Sequence, residues 1–97
     1  MREAVDELGR LVAEASLVEL TKRSFGAVDA VRFVTAIEAA ANGDKHWIMK
    51  WSVESTGLAT EVQLVLLPDF LETEPELLVS QFSALLIERA LEDEAEE

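Results

Sequence analysis

Two neighbouring segments of this chain alternate apolar and polar residues with complementary phases, and no other feature constrains the fold as strongly. In segment 46–53 the odd-numbered positions are Trp, Met, Trp and Val, and in segment 58–67 the even-numbered positions are mostly Leu and Val. Alternation with a period of two is typical of strands that bury one face. The short connection through Thr56-Gly57 therefore predicts an antiparallel β-hairpin.

The turn and the alternation predict the same register for this hairpin. A two-residue turn at Thr56-Gly57 pairs Ser55 with Leu58, and a shift by one residue would move every apolar side chain to the other face. Because threonine is β-branched and disfavours positive φ, a bulged three-residue turn is the alternative. The predicted core-facing pairs are Val53–Thr60, Trp51–Val62, Met49–Leu64 and Trp47–Leu66, and the opposite face carries Ser52–Glu61, Lys50–Gln63 and Ile48–Val65.

Three further segments, 3–22, 27–42 and 75–92, follow the 3.6-residue period of amphipathic helices. Asn42-Gly43 is typical of a helix end, and Pro75 is typical of a first helical turn. The sequence therefore predicts an α+β fold of order α-α-β-β-α, with the antiparallel hairpin packed against the helices. The apolar stripe of the first helix consists of Ala4, Leu8, Leu11, Ala15 and Val18, and Val5 and Val12 widen it.

Length and charge limit the domain organisation and the partners. With 97 residues, 49% of them hydrophobic, we expect a single domain over 1–91, and the acid-rich segment 92–97 predicts a disordered tail. The formal charge is −12, and segment 69–97 holds ten acids against one arginine. Such a field repels nucleic acid and anionic membranes, so we expect neither as a partner, whereas a basic protein is compatible with it.

The absence of cysteine excludes disulfides and thiolate metal sites, and it fits a reducing compartment. The sequence contains no run of 18 apolar residues, so it predicts no membrane-spanning helix. The first 20 residues contain five acids, whereas a signal peptide has a basic start followed by an uninterrupted apolar stretch. We therefore expect a cytoplasmic protein.

Residues that could support catalysis or metal binding are sparse. His46 is the only histidine. A histidine that acts as a general base or metal ligand needs a second polar group beside it, and the nearest carboxylate in the sequence is Asp44. The serines lack a nucleophile-elbow context, the glycines do not form a phosphate loop, and the acidic end lacks the ligand spacing of a calcium loop. We predict no catalytic residue, no metal ligand and no cofactor, and a non-enzymatic protein is favoured over an enzyme.

An excess of apolar surface over what a short chain can bury is the main functional signal. The third predicted helix has two apolar sides, and both strands of an isolated hairpin are free edges. A second copy of the chain would cover this surface, either by extending the sheet edge to edge or by pairing helices. The candidate interface residues are Leu77, Ala84, Ile87 and Leu91 on the second side of that helix, together with Trp47 and Trp51.

Three functional hypotheses follow from these features. The favoured one is a non-enzymatic protein-interaction module that acts as a homodimer. The alternative is an acidic inhibitor, immunity-type or chaperone-like protein that docks on a basic protein partner. A second alternative is a small enzyme or ligand-binding subunit that uses the Trp47/Trp51 strand face with His46. Core packing is the competing interpretation for both tryptophans, because the residues opposite them in the hairpin are apolar.

Overall fold

The protein is an α+β fold in which two helices cover one face of a three-stranded antiparallel sheet, as seen in a computed structural model that describes residues 2–23, 28–41 and 43–95. The strand order is β1-β2-β3, so the middle strand is also second in sequence. This confirms the predicted fold class. The elements are α1 (Arg2–Arg23), β1 (Ala30–Ala41), β2 (Asp44–Ser55), β3 (Leu58–Leu66), a 3₁₀ helix (Pro68–Glu72) and α2 (Pro75–Ala95).

The predicted hairpin and its register are confirmed. Strands β2 and β3 pair from Ser55–Leu58 to Trp47–Leu66 without a shift. The turn has two residues, with φ of 45° at Thr56 and 84° at Gly57. The amide of Thr56 donates a 3.0 Å hydrogen bond to the carboxylate of Asp29, which ties the turn to the start of β1.

The helix predicted over 27–42 is wrong, because this segment forms strand β1. Residues 27 and 42 themselves lie outside the described residues. Strand β1 pairs with β2 along its whole length, from Ala30–Glu54 to Ala41–Asp44. Gly43, which was expected to follow the end of a helix, instead lies between the two strands with a φ of 84°. The element order is therefore α-β-β-β-α.

A bulge in β1 explains why its sequence resembles a helix. The pairing with β2 shifts between Phe33 and Thr35, which adds one residue to β1 at that point. Before the bulge the odd-numbered Val31 faces the core, and after it the even-numbered Ala36 does so. Interrupting a period of two by one residue brings apolar side chains into an i, i+3 spacing that is also typical of helices.

Helix α1 buries only part of the stripe predicted in the sequence. Ala4, Leu11 and Val18 of that stripe are exposed and Ala15 is half-buried, whereas Leu8 and the widening residues Val5 and Val12 are buried. The side that packs on the sheet consists of Val5, Leu8, Gly9, Val12, Ala13, Ser16 and Leu20.

Helix α2 confirms the predicted third helix and packs against α1 and β3. It extends to Ala95, and residues 96–97 of the predicted acidic tail lie outside the described residues, so a disordered tail over 92–97 stays a prediction. Within the described part of the chain, neither helix is long and apolar enough to cross a membrane.

Candidate interaction surfaces

The two tryptophans lie in the core between the sheet and the helices. Trp51 is fully buried, and its indole nitrogen donates a 2.8 Å hydrogen bond to the carbonyl oxygen of Gly9. Trp47 is buried as well, and the guanidinium of Arg2 lies 5.6 Å from the centre of its ring. Both side chains are therefore occupied by packing within the chain.

The candidate interface on α2 is divided between the core and the surface. Ile87 is buried and Leu91 packs against the core, whereas Leu77 and Ala84 are exposed. Leu77 retains half of its accessible surface. Only part of the predicted second apolar side is thus available to a partner.

His46 does not share a site with the tryptophans. Successive residues of a strand point to opposite faces, so His46 lies on the face of β2 away from Trp47 and Trp51. Among the described residues, no group of three or more His, Asp or Glu side chains is arranged to hold a metal ion. The structure therefore does not bring together the residues of the ligand-binding hypothesis.

The sheet face away from the helices carries a row of aliphatic side chains that crosses all three strands. Ile37 pairs with Ile48, and Ile48 pairs with Val65. Ile37 is 48% exposed, Val65 is 54% exposed and Ile48 is half-buried. We call Ile37, Ile48 and Val65 the aliphatic row. Large aliphatic side chains at neighbouring positions on an open surface are typical of interaction sites.

Polar side chains lie beside the aliphatic row on the same face. The guanidinium Nε of Arg32 is 2.8 Å from a carboxylate oxygen of Glu54. The hydrogen bond that Arg32 donates to Glu54, together with the negative charge of Glu54, raises the pKa of Arg32 above its usual value. Lys50 lies between this pair and the row, and no carboxylate of the described residues is within ion-pair distance of it. The face thus combines an apolar end with a charged end.

Each edge strand of the sheet has a main-chain carbonyl that accepts a hydrogen bond from an arginine on a helix. Arg2 at the start of α1 donates to the carbonyl of Ala36 in β1, at 2.9 Å. Arg89 of α2 donates to the carbonyl of Gln63 in β3, also at 2.9 Å. A charged side chain over an edge strand hinders the addition of a further strand. This arrangement favours the open face over the edges as a contact surface.

A second apolar surface is the groove between α1 and α2. The end of the groove beside the 3₁₀ helix is a pocket of about 380 Å³, and a second section continues from it along α1. Leu11 and Pro75 line both sections, which makes the groove continuous. We call this surface the α1–α2 groove. Its apolar lining includes Ala4, Leu11, Ala15, Val18, Leu71 and Val79, and its acidic lining consists of Glu7, Glu14 and Glu76.

Sequence reasoning found part of these surfaces. The pair Ile48–Val65 is visible in the predicted hairpin register, but Ile37 was assigned to a helix and the row across three strands was missed. The α1–α2 groove was missed because periodicity alone does not show which part of the α1 stripe stays exposed. Nothing in the sequence signals that Arg2 and Arg89 reach the sheet edges, since both contacts depend on where the helices lie.

Comparison of the chain with protein-family models, with curated proteins and with solved structures gave no match.

Proposed function

We propose that this chain is a non-enzymatic protein-interaction module that acts as a homodimer through the open face of its sheet. The observation that carries the proposal is the aliphatic row, which lies on the sheet face that neither α1 nor α2 covers. Burying aliphatic surface is the main source of free energy in most protein association, at about 25 cal/mol per Å².

The position of the row suits contact between two identical faces. Two sheets that pack face to face lie about 10 Å apart, with their side chains interdigitated. A two-fold axis along the row would place Ile37, Ile48 and Val65 against their copies, as an isologous contact requires. The same axis would put the two Lys50 side chains on opposite sides of the row, so that they do not face each other.

The measurement that tests this proposal is the solution mass of the full chain by light scattering over a range of concentrations. We expect the mass of two chains for the wild type and of one chain for Ile48→Lys, which places a charge in the centre of the row. Leu58→Lys is the matched control, because Leu58 is 63% exposed at the hairpin turn, away from the row, and this variant should remain dimeric. A wild type that stays monomeric at about 100 μM, a concentration above the dissociation constant of specific complexes, would exclude the homodimer.

The candidate interface residues on α2 provide a second arm of the same measurement. Leu77 is exposed and belongs to the predicted helix-pairing surface. If Leu77→Lys dissociates the dimer and Ile48→Lys does not, the homodimer uses α2 and the open sheet face is not its interface.

A second candidate function is an acidic inhibitor, immunity-type or chaperone-like protein that docks on a basic partner. Segment 69–97 holds ten acids and one arginine, and one of these acids, Glu76, lines an apolar groove together with Glu7 and Glu14. For either function we propose a cytoplasmic location, which the absence of cysteine supports.

A further inference from the structure

The exposed stripe of α1 has the spacing of a helix-packing surface, and α2 covers it only in part. Ala4, Leu8, Leu11, Ala15 and Val18 follow four-three spacing, which is the pattern of helices that pack lengthwise on one another. Of these, only Leu8 is buried, while Leu11 is 40% and Val18 is 54% exposed. An apolar stripe on a helix ordinarily packs against another element.

The geometry of the α1–α2 groove fits a helix as its occupant. From Ala4 to Val18 the α1 wall is about 21 Å long, the length of a helix of about 14 residues. The small side chains of Ala4 and Ala15 allow the axis of a third helix to approach the 8–10 Å separation of packed helices. The deeper end of the groove, about 380 Å³, is lined by Leu8, Phe70 and Leu78 and can receive a large apolar side chain.

The acidic side chains of the groove favour an occupant with positive charge. Glu7 and Glu14 lie on the α1 side and Glu76 on the α2 side, and all three are exposed. Among the residues that the structure describes, no lysine or arginine lines either section of the groove. An acidic rim around an apolar floor attracts a helix with basic flanks and repels one with acidic flanks.

We propose that the α1–α2 groove binds an amphipathic helix of another protein, with its apolar side on the α1 stripe and lysine or arginine side chains facing Glu7, Glu14 and Glu76. This inference deepens the second candidate function by naming its surface and the class of its partner, and it does not depend on homodimerisation. Binding of an amphipathic helix in an apolar groove is a common mode of peptide recognition, read through anchors at i, i+3, i+4 and i+7.

The test uses a fluorescein-labelled peptide of leucine and lysine, about 14 residues long, with leucines at helical spacing. Fluorescence anisotropy with the full chain at physiological salt should show saturable binding. A peptide with glutamate in place of lysine, and one of the same composition in scrambled order, should each bind at least about tenfold more weakly. Failure of the leucine–lysine peptide to bind, or equal binding of the scrambled peptide, would overturn the proposal.

Variants of the protein separate groove binding from attraction to an acidic surface in general. Glu7→Gln/Glu14→Gln should weaken binding about tenfold, whereas Glu61→Gln/Glu88→Gln, which removes the same charge elsewhere, should weaken it about twofold or less. Equal loss in both pairs means that overall charge alone attracts the peptide, and the proposal is then wrong.

A second matched pair probes the apolar floor. Leu11→Gln should abolish most of the binding, and Leu67→Gln, at a residue 60% exposed outside the groove, should leave it unchanged. Circular dichroism confirms that each variant is folded. Repeating the titration with Ile48→Lys distinguishes the two proposals, because a monomeric variant that still binds the peptide supports the groove whether or not the homodimer exists.

Discussion

The indole nitrogen of Trp51 donates a 2.8 Å hydrogen bond to the main-chain carbonyl oxygen of Gly9, joining the middle strand of the sheet to helix α1. A carbonyl within a helix already accepts a bond from the amide four residues later, so the indole occupies its second acceptor position. The ring of Trp51 also lies 5.8 Å from that of Phe33 in β1 and 6.5 Å from that of Phe82 in α2. Trp51 is therefore in contact with β1 and with both helices.

Replacing Trp51 should destabilise the protein more than replacing Trp47. Trp51→Phe leaves a cavity in a fully buried site and removes the hydrogen bond to Gly9, for a combined cost of about 2–4 kcal/mol. Trp47→Phe is the matched control, since Trp47 is 8% exposed and no hydrogen bond to its indole is found among the described residues. Urea unfolding measures both. Equal losses of unfolding free energy would show that the hydrogen bond to Gly9 adds nothing.

Gly9 allows α1 to lie close to β1, and a methyl group there should be destabilising. A Cβ atom built on Gly9 would overlap the ring of Phe33. Alanine normally favours a helix over glycine by about 1 kcal/mol, but overpacking of a filled core costs about 1–3 kcal/mol, so Gly9→Ala should lower the unfolding free energy. The double variant Gly9→Ala/Phe33→Leu should recover part of the loss. If Gly9→Ala alone is more stable than the wild type, the close approach is not a constraint.

The hairpin could be predicted to single-residue accuracy because two independent constraints agree. The apolar phases of the two strands require one face to be buried, and the Thr56-Gly57 turn requires Ser55 to pair with Leu58. Both conditions are local in sequence. The structure satisfies both with the same register.

Strand β1 could not be predicted in the same way, because its pattern is interrupted. The bulge between Phe33 and Thr35 changes which residues face the core, and alanines after it favour a helix when considered without their surroundings. Pairing with β2 outweighs that preference. The Asn-Gly pair was the available signal, since the same dipeptide that ends helices is also the strongest short hairpin signal.

The interaction surfaces depend on the placement of whole elements, and that is why the sequence predicted them only in part. Ile37 lies beside Ile48 only because residues 30–41 form a strand, so a prediction that made this segment a helix could not include Ile37 in the row. Helix α1 offers two adjacent apolar sides, one through Val5 and Val12 and one through Leu11 and Val18, and the periodicity does not say which of them packs on the sheet.

Removing the hydroxyl of Ser16 should stabilise the protein. Ser16 is fully buried in α1, and its hydroxyl oxygen has no hydrogen-bond partner among the described residues. An unsatisfied buried polar group costs about 1–3 kcal/mol, and alanine also has the higher helix propensity. Ser83→Ala in α2 is the matched control, because the Ser83 hydroxyl donates a 3.1 Å hydrogen bond to the carbonyl of Ser80. Thermal unfolding should show Ser16→Ala to be more stable than Ser83→Ala by about 1 kcal/mol. The reverse order would mean that the Ser16 hydroxyl is satisfied in solution.

The hairpin turn contains a residue that its backbone conformation disfavours. Thr56 has a φ of 45°, in the left-handed region that β-branched side chains rarely adopt. Such a conformation costs about 1 kcal/mol or more, and asparagine tolerates it better than threonine does. Thr56→Asn should therefore raise the unfolding free energy by about 0.5–1 kcal/mol in urea unfolding, with the hydrogen bond from its amide to Asp29 retained. Gly57→Ala, at a φ of 84°, should shift stability in the opposite direction. A loss of stability in Thr56→Asn would show that the turn does not hold residue 56 in the left-handed region, and that the bulged three-residue turn forms instead.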